Sequence, residues 1–221
     1  MSTAEPVGPS QGRQTGIRFQ PLQRWAIEAW KQNAWTMVIT VVTVAIFAIP
    51  SLTASLQLDF NSVAGGQWWR LLSGHLTHYD GQHLFWDLLM FVVLGAICER
   101  QNRKRFGVLL VIMATVVSLA VMFTCTGISE YRGLSGIDTG LFAWLTIGQL
   151  RTSLAGRDRY FAAFWAMSGF LLMVKLGFEM MTGDVLFVQT DGFKPILESH
   201  LAGAAVGALI ALATPALGND A

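Results

Sequence analysis

Charge is the scarcest ingredient of this sequence: only 13% of its 221 residues are Asp, Glu, Lys or Arg, against 53% hydrophobic. With a mean hydropathy of +0.48, that balance excludes an ordinary soluble globular domain. Cysteine is nearly absent. Its two copies, Cys98 and Cys125, both fall in apolar runs, so neither a disulfide framework nor a CxxC-type metal site has the residues it needs, and both thiols are expected to be inert. The formal net charge is +1, and no basic stripe interleaved with aromatics occurs, which argues against nucleic acid as a partner.

What the chain has instead is long apolar runs. A helix needs about 20 mainly apolar residues to cross the hydrocarbon of a bilayer. Such stretches lie near Ala34 to Leu52, Gln82 to Cys98 and Phe106 to Cys125, then near Ser135 to Leu150, Tyr160 to Met181 and Ile196 to Pro215. The connections are too short to hold a second domain. The expected fold is an all-α membrane protein, a single bundle of six transmembrane helices over residues 33–215. Residues 1–32 read as a flexible cytoplasmic tail and interfacial segment without a signal-peptide pattern, and 216–221 as a short cytoplasmic tail.

Lys and Arg alternate in density between the connections. Arg13, Arg18, Arg24 and Lys31 precede the first span, Arg100, Arg103, Lys104 and Arg105 follow the second, and Arg151, Arg157 and Arg159 follow the fourth. The opposite loops hold only Arg70, Arg132 and Lys194. Because basic residues stay on the cytoplasmic side, both termini are expected inside, with the second, fourth and sixth spans entering from the outer face.

Ionisable groups inside a membrane span are costly unless paired or wet, so each raises a functional question. Here they gather at the outer ends of three helices: His83 and Asp87 on the second span, Ser135 and Asp138 on the fourth, Glu198 and His200 on the sixth. The fourth span, at about 16 residues or roughly 24 Å, reads as the shortest, which would submerge Ser135 in a water-reachable pocket. Gly136 and Gly140 on that span, and Gly203 and Gly207 on the sixth, form small-xxx-small faces that let backbones pack closely in lipid.

These residue types fit acyl-transfer chemistry. A serine hydroxyl is a poor nucleophile at neutral pH until a histidine within reach takes its proton, and Ser135 and His200 supply the two roles. The developing oxyanion needs donors. The Ser135 backbone N–H, at a helix N-terminus, is placed to give one, and His83 a second. Gly133 permits the sharp entry of the chain into the helix that presents the hydroxyl.

The run Gly133-Leu134-Ser135-Gly136 resembles the GxSG nucleophile motif of rhomboid intramembrane proteases. Trp69 and Arg70, followed by His78, His83 and Asp87, are similar to the first loop and second helix of that family, which carry WR, His and then HxxxN. Glu99-Arg100 and His200-Leu201-Ala202-Gly203 continue the likeness, which covers about Gln67 to Gly207. The resemblance implies a rhomboid-like six-helix fold in which Ser135 is nucleophile, His200 base and His83 an oxyanion donor. It further implies an integral protein of a bacterial inner membrane that acts without cofactor on transmembrane protein substrates in the lipid bilayer, its site opening to the periplasmic side. Tyr131 to Gly136 look most like the rhombosortase branch, associated with cleaving C-terminal membrane anchors from exported proteins. Oligomeric state is not legible.

Two positions depart from the family pattern. Asp87 stands where Asn is usual; an ionised carboxylate repels an oxyanion, so Asp87 would serve by being protonated or by orienting His83. Thr139, four residues after the serine, stands where Tyr or His is usual and offers less surface to hold His200. Asp138 has no counterpart; two readings are open for it, pairing with a partner such as Lys175 or lining the wet cavity. Lys175 and Glu179, at i and i+4, read as an intrahelical pair. His75, His78, His83 and Asp87 include metal-ligand types, but only His83 and Asp87 share a helical face and no HExxH pattern exists, so no metal is expected. His75 and His78 read as interfacial residues or hydrogen-bond partners of the first loop, with Trp68 and Trp69 as interface anchors. Two other classes compete with a protease: an inactive rhomboid-like protein that binds membrane clients, and a proton-coupled carrier, which leaves the glycine-serine motif unexplained.

Overall fold

The computed structural model describes residues 31–184 and 196–214. Arg13, Arg18, Arg24, Lys194, Pro215 and the tail at 216–221 lie outside the described residues. Helices occupy all six expected positions. The first differs from expectation: α1 (Ala34–Phe47) turns through 113° into α2 (Pro50–Leu56) instead of running straight to Leu52. Pro50 occupies the first turn of α2, where its missing N–H costs nothing, but it cannot extend the hydrogen-bond ladder of α1.

After α2 the chain passes through a long connection made of β1 (Leu58–Asp59), α3 (Phe60–Ala64), α4 (Arg70–Ser73) and a 3₁₀ turn at Gly74–Leu76. It then enters α5 (Gly81–Gln101), α6 (Arg103–Thr124), β2 (Glu130–Tyr131), α7 (Ser135–Ala155), α8 (Arg159–Thr182) and α9 (Leu197–Ala213). Among the described residues, α5, α6 and α8 are each long and apolar enough to cross a membrane, and the bent α1–α2 pair is a fourth if taken as one span. By length and composition the described residues therefore hold three or four candidate spans; α9 is apolar but has 17 residues.

The fourth helix corrects the sequence in a second way. α7 has 21 residues and continues past Leu150 to Ala155, so it is not the shortest of the set. Arg151 does not end it because the guanidinium finds acceptors: its Nη1 donates to the carbonyls of Ala211 and of Thr214 (2.8 Å), at the inner end of α9. Those carbonyls are ones that a helix C-terminus leaves without an internal partner.

α7 is the central post of the bundle. It buries residues on every side, among them Ile137, Leu141, Trp144 and Leu145, as expected of a helix surrounded by protein. They pack with Phe91 and Leu94 of α5 and with Phe106, Leu109 and Met113 of α6 in one apolar cluster. Its closest partner is α9. A Cβ on Gly203 or Gly207 would collide with the carbonyl of Gly136 or Gly140 respectively, so the two backbones touch where the glycine faces meet. α8 is the opposite case, burying only Ala162, Leu176 and Glu179.

The inner end of α5 is fixed to α1. Glu99 accepts from the amides of Trp35 (3.0 Å) and Thr36 (2.9 Å) and from the Thr36 hydroxyl (2.9 Å), taking up donors that the first turn of α1 cannot satisfy itself.

Candidate active site

Two short strands position the loop that leads into Ser135. β1 and β2 pair antiparallel, Leu58 opposite Tyr131 and Asp59 opposite Glu130, and Phe60 N–H donates to the Ser129 carbonyl. The long connection is thus stitched to the segment leading into Gly133. There the backbone turns with φ +116°, a region that favours glycine. A Cβ at Gly133 would also lie 2.7 Å from His83 Nε2 and 3.0 Å from Asp87 Oδ2, so the position needs glycine both for its backbone and for the space.

His75 and Tyr131 hold the same loop from behind. The His75 ring is fully enclosed, Nδ1 being 3.1 Å from the Gly133 carbonyl and Nε2 2.9 Å from the Ala114 carbonyl and 3.0 Å from Ser118 Oγ. Burial holds the proton affinity of His75 below the usual histidine range, the backbone contacts offsetting only part of that. The sequence reads this histidine as an interfacial residue or a partner for the first loop; the structure makes it a buried link from the loop before Ser135 to α6. Tyr131 donates through its hydroxyl to the Gly133 carbonyl (3.3 Å), and burial raises the proton affinity of that hydroxyl. The Ser199 and Ser135 side chains both lie near enough to the hydroxyl to counter part of the effect.

Ser135 occupies the first helical position of α7, half-buried, where helix geometry supplies no carbonyl for its N–H. Gly136, one residue on, packs against the Ser199 carbonyl, beside His200 in sequence. Ser135 and His200 therefore stand on adjacent first turns of two touching helices. No hydrogen bond joins their side chains among the described residues. Thr139 directs its hydroxyl back to the Ser135 carbonyl (2.8 Å).

His200 is buried, and its Nδ1–H donates to Glu179 Oε2 at 2.8 Å. Glu179 Oε1 accepts from Lys175 Nζ at 2.5 Å, so the expected intrahelical pair is present. What the sequence missed is the second oxygen of the same carboxylate, which crosses to α9. The available signal was depth: Glu179 lies near the end of an apolar span that shares its outer face with the start of α9.

Asp87 Oδ2 is a convergence point. It accepts from the Leu134 N–H (2.7 Å) and lies 3.1 Å from His78 Nε2 and 3.2 Å from His83 Nε2. The carboxylate thus lies between the His83 ring and the backbone of the loop that leads into Ser135. The loop histidine His78 does reach the His83–Asp87 face: the three donor groups lie within 4.8 Å of one another, a separation a metal ion tolerates. Asp87 Oδ2 is already shared among three hydrogen-bonding neighbours, however, which explains the cluster without an ion. Asp138 is buried beneath the serine with Oδ1 unpartnered among the described residues; Lys175, suggested as its partner, is with Glu179. Trp68 and Trp69 are exposed, as interface anchors would be.

The structure is a bundle of apolar helices with a serine and a histidine on the first turns of two touching helices, an arrangement compatible with a membrane-embedded serine hydrolase. Comparison with known proteins agrees. Residues 65–216 match the Rhomboid domain model. The chain is also 24% identical over 207 residues to the rhomboid protease GlpG of Pectobacterium atrosepticum, covering 89% of this chain and 68% of that protein. Against the rhomboid protease GlpG of Yersinia pestis it is 25% identical over 210 residues, 88% of this chain and 66% of that protein. The chain spans about two thirds of the length of these relatives. It belongs to the rhomboid family, and its class is that of an integral membrane serine protease.

Proposed function

We propose that the chain cleaves membrane anchors of exported proteins within or beside the bilayer, Ser135 attacking the scissile carbonyl and His200 taking the serine proton as base. The observation that carries this reading is the contact of Gly136 with the Ser199 carbonyl and of Gly203 with the Gly136 carbonyl, which sets the two side chains on facing first turns. In this reading the helices make six spans in an inner membrane, and the alternation of basic loops supports cytoplasmic termini and a site opening to the opposite, periplasmic side. The substrate then enters from lipid. Helix-destabilising small residues favour its cleavage, since a helical peptide bond is shielded from attack.

In this scheme the Ser135 N–H and His83 receive the oxyanion, while Asp87 holds His83 and Gly136 permits the approach of α9. The Tyr131-to-Gly136 pattern, similar to rhombosortases, points to C-terminal anchors as substrates. Labelling of detergent-solubilised protein with a fluorophosphonate tests the assignment: wild type is expected to label, and Ser135→Ala and His200→Ala are not. Absence of labelling in folded wild type would favour the client-binding alternative.

A further inference from the structure

We infer that Glu179 is a positioning residue for His200, so that the site works as a Ser135–His200–Glu179 relay of contacts across three helices rather than as a serine and histidine alone. This rests on the assignment of Ser135 and His200 made above.

The argument starts from where Glu179 sits. α8 faces outward almost throughout, and a lipid-facing helix has no use for a carboxylate. Glu179 is nevertheless 4% exposed, with both oxygens engaged, Oε1 by Lys175 on its own helix and Oε2 by His200 on α9. Lys175 alone would satisfy the charge at a far more exposed position, its side chain being 32% accessible. The carboxylate instead bridges the cation and the imidazole.

The contact falls on the ring nitrogen that matters. An imidazole has two nitrogens, and the hydrogen bond made by one fixes what the other can do. With Nδ1–H donating to Glu179, a neutral His200 carries its lone pair on Nε2, the nitrogen that a serine base requires. Among the described residues the ring makes no other hydrogen bond. The chemistry balances without Glu179 accepting a proton. As Ser135 Oγ forms its bond to the reacting centre, its proton passes to Nε2, and the imidazolium so formed faces a carboxylate at 2.8 Å. That proton then leaves with the amine when the peptide bond breaks. With a fluorophosphonate the new bond is O–P, the broken bond is P–F, and fluoride is the leaving group.

The bland explanation is that Glu179 merely ties α8 to α9. The two differ in what they do to a folded molecule: a tie affects melting, whereas a positioning residue affects the rate of bond formation. The experiment is therefore fluorophosphonate labelling kinetics on the full-length chain in detergent, with Ser135→Ala as blank, Lys175→Met as a control on the other oxygen, and Glu179→Gln and Glu179→Asp as tests. Glu179→Gln is expected to lower the labelling rate at saturating probe by roughly 10- to 1,000-fold, with the half-saturating probe concentration and the melting temperature little changed. Glu179→Asp is expected to recover part of the rate, because the charge is kept and only one methylene of reach is lost. Wild-type rates in Glu179→Gln would overturn the inference and leave the protease assignment standing; no labelling of folded wild type would overturn both. Should Glu179→Gln not fold, nitrogen-15 spectra of wild type decide the matter, a neutral His200 protonated at Nδ1 being expected and one protonated at Nε2 overturning it.

Discussion

The amide of Leu134 donates to Asp87 Oδ2 at 2.7 Å, joining the residue before the nucleophile to the second membrane helix 47 positions earlier in the chain. In the proposed scheme this bond gives Asp87 a role that its ionised form can perform, since the carboxylate accepts from the loop and holds His83. Asp87→Ala removes the acceptor of the buried Leu134 N–H and the carboxylate beside both histidine rings, and is expected to cost about 1–3 kcal/mol of stability from such unmet groups and to abolish labelling. Asp87→Asn keeps one acceptor for Leu134 and is expected to retain measurable activity. Thermal unfolding together with fluorophosphonate labelling separates the two variants.

The glycine contacts between α7 and α9 predict a steep size limit. Gly203→Ala puts a methyl against the Gly136 carbonyl, where backbone rather than a flexible side chain must move. The expected cost is about 1–3 kcal/mol or more, as for overpacked cores, with labelling lost before folding because Ser135 and His200 part company first. A labelling rate equal to wild type in folded Gly203→Ala would show that the helices can separate without harm to the site.

Glu99 offers a control far from the chemistry. Its carboxylate takes two amides and a hydroxyl at the start of α1, so Glu99→Gln is expected to destabilise by about 1–3 kcal/mol through weakened charge-assisted bonds while the labelling rate per folded molecule stays within about twofold, a shift under 0.5 kcal/mol. Denaturation and labelling on the same preparation check this.

His75 sets a pH dependence of stability. Burial lowers its proton affinity in the folded state, whereas the unfolded ring has the ordinary value near 6.5. The unfolded chain therefore binds a proton more readily below that pH, so the contribution of His75 to stability is full above about pH 6.5 and declines as pH falls through and below it. Melting temperatures recorded from pH 8 to pH 5 are expected to drop more steeply for wild type than for His75→Gln.

Metal removal checks the cluster around Asp87. The hydrogen bonds among His78, His83, Asp87 and Leu134 explain their convergence, so a chelator is expected to leave labelling and melting unchanged. Loss of either on chelation, restored by zinc, would show that the cluster holds an ion.

The long apolar runs, the glycine spacings and the Gly133-to-Gly136 motif were enough to read a helical membrane bundle and the helices that carry Ser135 and His200. Such features are periodic or local, and a chain in lipid has few ways to satisfy its backbone other than helices. The bend at Pro50 and the length of α7 were not legible. Proline fixes a local break, but the 113° turn depends on what α2 packs against, and Arg151 reads as a stop until α9 brings carbonyls to it. The partners of Asp87 and Glu179 from other segments of the chain, Leu134, His78 and His200, belonged to tertiary structure. A carboxylate on a helix shows its i and i+4 neighbour in the sequence, as Glu179 showed Lys175; its second oxygen is aimed by the crossing of two helices, and that crossing exists only once the chain has folded.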